Sequence, residues 1–328
     1  MSDSTERSIT VKIPHVPVVD RFPFPFQEDS YRYSNNARAL RSGKVIQITP
    51  DYHEEIRKKR KLLLEKPNLA YQSFSHSMEA QWEILELLMN ELVSVYPSYF
   101  SLQKRGDHIL FYNHLLDEKE TFTFGDKESL ACEPLDFIGR HVQEDLIYLG
   151  QRDGDLYMDA GQLCFPANWS IAFDLGMSYL EFHSPVPHFS ESGLAAKVRN
   201  FLLQMEVGKP FTRYNWTITL DPILETFPET YDEWGKKKYE LTPEKVGEMV
   251  HLRVEDQRLT RLPLSNGILF SIHTDLISMK DLIKKSEWSE RFEKVLVDLP
   301  DYMAEYKGFS TYKEQITNYL KSVNTTTK

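Results

Sequence analysis

Ten histidines and two cysteines stand among 328 residues, so few places in this chain could hold a metal or move a proton. His183 lies in Glu181-Phe182-His183-Ser184-Pro185-Val186-Pro187, ahead of two prolines that stiffen the backbone. An imidazole fixed in this way suits an axial metal or haem ligand, and equally a hydrogen-bonded structural histidine. Cys164 is the rival ligand, but its flanks Leu163 and Phe165-Pro166 suit an inert buried thiol. His273-Thr274-Asp275 supplies two of the three ligands of a non-haem iron facial triad. The usual second histidine comes later in the chain, and His273 is the last one here; a histidine at the rim of a sheet is the structural alternative.

Two polar rows accompany these histidines. Alternation over residues 213–220 puts Arg213, Asn215, Thr217 and Thr219 on one face of a strand and Tyr214, Trp216, Ile218 and Leu220 on the other. Over 252–261, Arg253, Glu255 and Gln257 share a face opposite Leu252 and Val254. Arginines so placed can hold haem propionates, and a carboxylate among them can orient a cationic substrate or relay protons. Surface ion pairs on an exposed sheet face explain the same rows.

Other templates are absent. Neither a Gly-rich dinucleotide fingerprint nor a phosphate loop occurs, and neither His-Glu-x-x-His nor Gly-x-Ser-x-Gly is found. Asp153-Gly154-Asp155 is a turn signature with too few ligands for a calcium loop. With 39 Lys and Arg against 49 Asp and Glu, the net charge of −10 disfavours nucleic acid. Cys132 and Cys164 cannot build a disulfide framework. The first ten residues lack an apolar signal-peptide core, and no run is long and apolar enough to span a membrane. A cytoplasmic protein without membrane attachment is the expectation.

The elements that must position these residues follow from periodicity. Phe22-Pro23-Phe24-Pro25-Phe26 cannot be a helix or a central strand and reads as an extended arm with docked rings. A helix should begin after Pro50, with Lys58-Lys59-Arg60-Lys61 as its solvated face. Residues 78–95 place Trp82, Leu85, Leu88, Leu92 and Val95 at helical spacing, and Pro97 stops that helix. Residues 108–116 and 120–124 read as strands joined by the turn Asp117-Glu118-Lys119. The segments 251–262 and 267–275 read as a hairpin turning at Asn266-Gly267. Shorter helical patterns fall at 168–175 and 194–205, and a helical tail from 278 offers Leu282, Trp288, Phe292, Val295 and Leu296. The fold class is α+β, an antiparallel sheet with helices at both ends of the chain. Residues 1–100 form an arm and helices, 101–277 the core and 278–328 the C-terminal helices, packed as one unit.

The segments CFPANWSIAFDLGMSYLEFHSPVP, RYNW, LRVEDQRLTRLP and GILFSIHT resemble, in order and spacing, the haem-dependent oxidative N-demethylases. PDYHEEIRKKRKLLL and Gln143-Glu144-Asp145-Leu146 extend the resemblance upstream, so that it spans roughly residues 22–290. It implies a PAS-like sheet holding haem b and oxidative demethylation of a small secondary amine such as dimethylamine. O2 is consumed, formaldehyde is released, and electrons come from NADPH through a flavin and iron–sulfur reductase partner. Carried onto this chain, His183 is the axial ligand, and Arg213, Asn215 and Trp216 line the cofactor pocket. Arg253, Gln257 and Arg261 match further family positions. Glu255 is the candidate catalytic carboxylate, with Tyr214 as a second candidate that strand parity puts on the other face. Asp256 and His273 stand where the family commonly has Arg, which would change the pocket's charge if either lined it. A haem-binding sensor without turnover, and a mononuclear iron oxygenase built on His273 and Asp275, are the competing readings.

Overall fold

The computed structural model describes residues 11–34 and 36–326, so the polar first ten residues lie outside it. Among the described residues, ten strands form two antiparallel sheets. They are β1 Arg38–Ala39, β2 Tyr71–Ser73, β3 Phe100–Arg105, β4 His108–Asn113, β5 Glu118–Thr123, β6 Asp145–Arg152, β7 Asp155–Gln162, β8 Phe211–Leu220, β9 Val250–Arg261 and β10 Ile268–Ser278. The larger sheet runs β1-β8-β9-β10-β6-β7-β2 and the smaller β3-β4-β5.

The two longest strands, β9 and β10, pair in unbroken register from Ile268↔Arg261 to Ser278↔His251. Leu262 N–H donates to the Gly267 carbonyl at 2.9 Å and closes their turn, where Asn266 takes a positive φ of 55°. β6 and β7 turn at Asp153 and Gly154, whose φ values of 51° and 74° match a two-residue hairpin turn twisted like its strands.

Three clusters of buried side chains sandwich the large sheet. On one face, helix Met78–Val95 packs Leu85, Leu88 and Leu92 into a core shared with Tyr148 and Leu269. Further along that face, helices Ser286–Asp298 and Lys313–Thr326 bury Phe292, Val295, Leu296 and Leu320 against Trp216, Ile218, Leu252 and Val254. The proline-interrupted arm docks here too: the Phe24 ring stacks on Trp288 at 4.7 Å, and Phe26 meets Trp216 edge-on at 5.1 Å. Across the sheet, helices Tyr179–Phe182 and Leu194–Leu203 cover Leu149, Met158 and Leu259.

Three sequence-based expectations need correction. Lys59 is not on a solvated face: it is fully buried, and its ammonium donates to the Val142 carbonyl at 3.1 Å and to the Glu144 carbonyl. Arg60 is likewise engaged, holding the Glu118 carboxylate and the Arg140 carbonyl. The β4–β5 turn comes earlier than expected, because β5 already begins at Glu118. Among the described residues, no helix is long and apolar enough to cross a membrane.

Candidate functional site

The register of β8, β9 and β10 collects the polar rows on one face. Arg213 lies opposite Gln257, Asn215 opposite Glu255, and Thr217 opposite Arg253, while Thr274 flanks Glu255 from β10. Above this face lies a cavity of about 560 Å3, walled by the sheet, by the 179–202 segment and by the arm around Tyr33. That volume falls within the ~300–1,000 Å3 typical of cofactor and ligand sites.

His183 enters the cavity wall from the end of helix Tyr179–Phe182. The Glu181 side chain anchors this single turn by accepting from the Ser178 N–H at 2.7 Å. Tyr179, Phe182 and Phe189 surround the imidazole with ring centroids at 4.3, 4.6 and 5.3 Å. Its Nδ1 lies 2.9 Å from the Tyr179 carbonyl oxygen, which can only accept. Nδ1 therefore carries the proton and Nε2 keeps its lone pair. Burial, aided by the Arg213 charge, outweighs that hydrogen bond and lowers the ring's pKa to about 4. At neutral pH the ring is an uncharged imidazole with a bare nitrogen, the form that ligates iron.

Arg213 has a buried Nε without a hydrogen-bond partner. Burial pulls its pKa down, and no carboxylate among the described residues pairs with it within 4.0 Å. Glu255 is 3% exposed. Its Oε2 accepts from Gln257 Nε2 at 2.8 Å and from Asn215 Nδ2 at 3.2 Å, whereas Oε1 accepts no hydrogen bond. Arg253 Nη2 lies 3.5 Å from that free oxygen. The site thus holds a fixed carboxylate with spare acceptor capacity beside a guanidinium with spare donors.

The remaining candidates are placed differently. Arg253 lines the cavity, but its guanidinium is committed to the Leu224 and Phe165 carbonyls, tying together two loops at the sheet end. Arg261 is outside the cavity lining; it clamps the end of helix Leu194–Leu203 through the Leu202 and Met205 carbonyls and reaches the Asn266 carbonyl in the hairpin turn. Trp216 is among the cavity-lining residues, while its ring packs among Phe26, Phe292 and Phe309 on the opposite face. Tyr214 also borders the cavity, but its ring shares that opposite face, with the Arg38 guanidinium 4.8 Å above it, away from the row that carries Glu255.

Asp256 and His273 also face away from the cavity. Asp256 accepts from Thr212 at 2.7 Å and pairs with Arg258 at 2.8 Å. His273 sits between Glu144, 3.2 Å from Nδ1, and Asp275, 3.9 Å from Nε2. Burial opposes its charge, but the Glu144 hydrogen bond and the surrounding carboxylates raise its pKa to about 9. Among the described residues, no group of three or more His, Cys, Asp or Glu side chains is arranged to hold a metal ion, which disfavours the mononuclear reading. Neither departure from the family pattern alters the charge of the cavity.

A family model for haem-dependent oxidative N-demethylase, alpha subunit-like, matches residues 36–317. The chain belongs to that family. A haem oxidative enzyme is therefore the coarse assignment, and the residues present fit the cofactor. His183 offers a neutral nitrogen to iron, Arg213 offers unpaired donors to a propionate, and Leu149, Met158, Phe189 and Leu259 offer apolar walls. Sequence reasoning missed Lys307, Tyr306, Tyr33 and Tyr179, which also line the cavity. The first three come from the chain's two ends, where no local pattern marks them.

Proposed function

We propose that this protein is a monooxygenase that removes a methyl group from a small secondary amine. It would do so with haem b, O2 and electrons from NADPH delivered by a flavin and iron–sulfur reductase. The balance is one amine, one O2, two electrons and two protons giving the demethylated amine, formaldehyde and water. The observation that carries this reading is the neutral, cavity-facing His183, with Nδ1 spent on the Tyr179 carbonyl and Nε2 left bare.

Bound haem would supply O2 binding and oxidation of the N-methyl carbon. The chain's own residues would do the rest. Tyr179 orients the ligating ring through its carbonyl. Arg213 would hold a propionate. Small amines are cations near neutral pH, so Glu255 would bind the ammonium through Oε1, which accepts no hydrogen bond, and take its proton, exposing the nitrogen lone pair. Asn215 and Gln257 keep that carboxylate in place by donating to its other oxygen. The aromatic collar of Tyr179, Phe182 and Phe189 would limit water around the ligand side. Under this reading the large antiparallel sheet is a PAS-like platform for the cofactor, as the family resemblance implies.

The test is amine-dependent formaldehyde release by haem-loaded protein supplied with O2 and a reductase system, across secondary amines of increasing size. Stoichiometric formaldehyde with one amine supports the reading. Reduction and O2 consumption that no amine accelerates would point to a gas-binding protein.

A further inference from the structure

Lys307 is the cavity residue that neither the polar rows nor the family motifs mark. It follows helix Asp301–Tyr306 and brings the chain to the edge of β8, where Thr217 Oγ1 donates to its carbonyl at 2.9 Å. Its Nζ donates to the Trp216 carbonyl at 2.6 Å and lies 4.7 Å from the Trp216 ring centroid. Like Arg213, it has no carboxylate within 4.0 Å among the described residues. An ammonium carries three donors, and that carbonyl takes one of them. Burial lowers the amine's pKa to about 8, with Glu255 opposing the shift and the Arg213 charge adding to it.

One wall of the cavity therefore carries two cations within electrostatic reach of each other. The nearby anion, Glu255, is already bound by Asn215 and Gln257 and flanked by Arg253. Both side chains are partly exposed towards the cavity, and among the described residues no carboxylate comes within 4.0 Å of either. An anion arriving with the ligand pairs with both at once. Arg32, Asp174, Lys238 and Glu305 also line the cavity, but aromatic and aliphatic side chains make up most of the remaining wall, so the complementary ligand is an apolar body that ends in carboxylate.

We infer that Arg213 and Lys307 together form a carboxylate clamp at the rim of the cavity, with Lys307 as a ligand-binding residue in its own right. This rests on the haem reading for its first candidate source, a propionate; the second source is a carboxylate on the amine substrate. The guanidinium contributes a two-pronged contact and the ammonium a point charge, so the pair suits two separate carboxylates or the two sides of one.

Metal-free protoporphyrin IX and its dimethyl ester test the clamp without any contribution from iron ligation. Binding is read from quenching of tryptophan fluorescence in the parent protein, Lys307→Met and Lys307→Arg, with circular dichroism confirming the fold of each. The expected result is that the parent prefers the free acid at least tenfold over the ester. Lys307→Met should lose most of that preference, and Lys307→Arg should keep it. If acid and ester bind alike, but sarcosine, a secondary N-methyl amine with a carboxylate, perturbs the fluorescence of the parent and not of Lys307→Met, the clamp serves a substrate carboxylate. Should the parent show no preference for the acid and no response to sarcosine, the clamp is overturned. So it is if Lys307→Met folds and keeps whichever response the parent shows. Failure of the haem reading is seen separately, as iron haem that binds without any dependence on His183, and leaves the porphyrin result standing.

Discussion

His183 Nδ1 donates to the carbonyl of Tyr179, four residues earlier, at 2.9 Å. This one bond sets the tautomer, aims the ring and leaves Nε2 bare, so a turn of helix only four residues long, Tyr179–Phe182, settles what the imidazole can do.

Haem binding should accordingly be insensitive to pH until strongly acid conditions. The His183 pKa is lowered from 6.5 to about 4, so protons compete for Nε2 only as pH falls through that lower value. A Soret titration should be flat from neutrality to about pH 5 and then lose amplitude around pH 4. Loss of the ligand band centred near pH 6.5 would mean that the ring is not held as described.

Glu255→Gln keeps the shape of the side chain and removes its charge. Haem content should be unchanged, and amine-dependent formaldehyde release should fall by roughly 10²–10⁴-fold, the range for removing a general base. A variant that no longer takes up haem would assign Glu255 a structural role instead.

Arg213 and Arg253 should separate cleanly. Arg213→Met should fold and lose roughly tenfold or more in haem affinity, since a hydrogen bond to a charged group contributes about 1.5–3 kcal/mol. Arg253→Met should destabilise the fold by about 3–5 kcal/mol, the scale for breaking a buried charged pair, because Arg253, 1% exposed, pairs with Glu255 at 3.5 Å and also joins the Leu224 and Phe165 carbonyls. Chemical denaturation and haem titration of both variants check this; a stable Arg253→Met with impaired haem binding would reverse the assignment.

On the opposite face, His273 makes stability fall at alkaline pH. Its folded pKa is raised from 6.5 to about 9, so its contribution is complete below 6.5 and disappears as pH rises through 9. Glu55, raised by burial from 4.5 to about 7, adds a separate loss of stability at lower pH, between about 4.5 and 7, because it releases its proton more readily when unfolded. The melting temperature should drop between pH 7 and 9.5, and His273→Leu should flatten that slope while costing about 3–5 kcal/mol near neutrality. Its haem spectrum should match the parent's, because the residue lies across the sheet from the cavity.

The parts of the fold that announce themselves in sequence are those with unlike faces. β8 alternates polar and apolar residues because one face meets the cavity and the other the C-terminal helices, and this pattern places Arg213 and Asn215 correctly. β6 carries no such signal: Asp145–Gly150 is buried on both faces, so no alternation survives in its sequence. Lys59 looked like part of a solvated basic run because composition cannot reveal that two carbonyls await its ammonium. In the site, His183 and Glu255 could be singled out by local context. Arg253 and Arg261 share the arginine chemistry of Arg213, but tertiary contacts turn both towards backbone carbonyls. Lys307 and Tyr33 reach the cavity only because the two chain ends fold back over β8.

The most direct measurement is the absorption spectrum of haem-reconstituted protein, oxidised, dithionite-reduced and CO-bound, for the parent and His183→Ala. The parent should show a Soret band of the histidine-ligated type, and His183→Ala, folded by circular dichroism, should lose or shift it, with partial recovery on adding imidazole. A parent that takes up no haem, or a His183→Ala spectrum identical to the parent's, would contradict the assignment of His183 as the iron ligand.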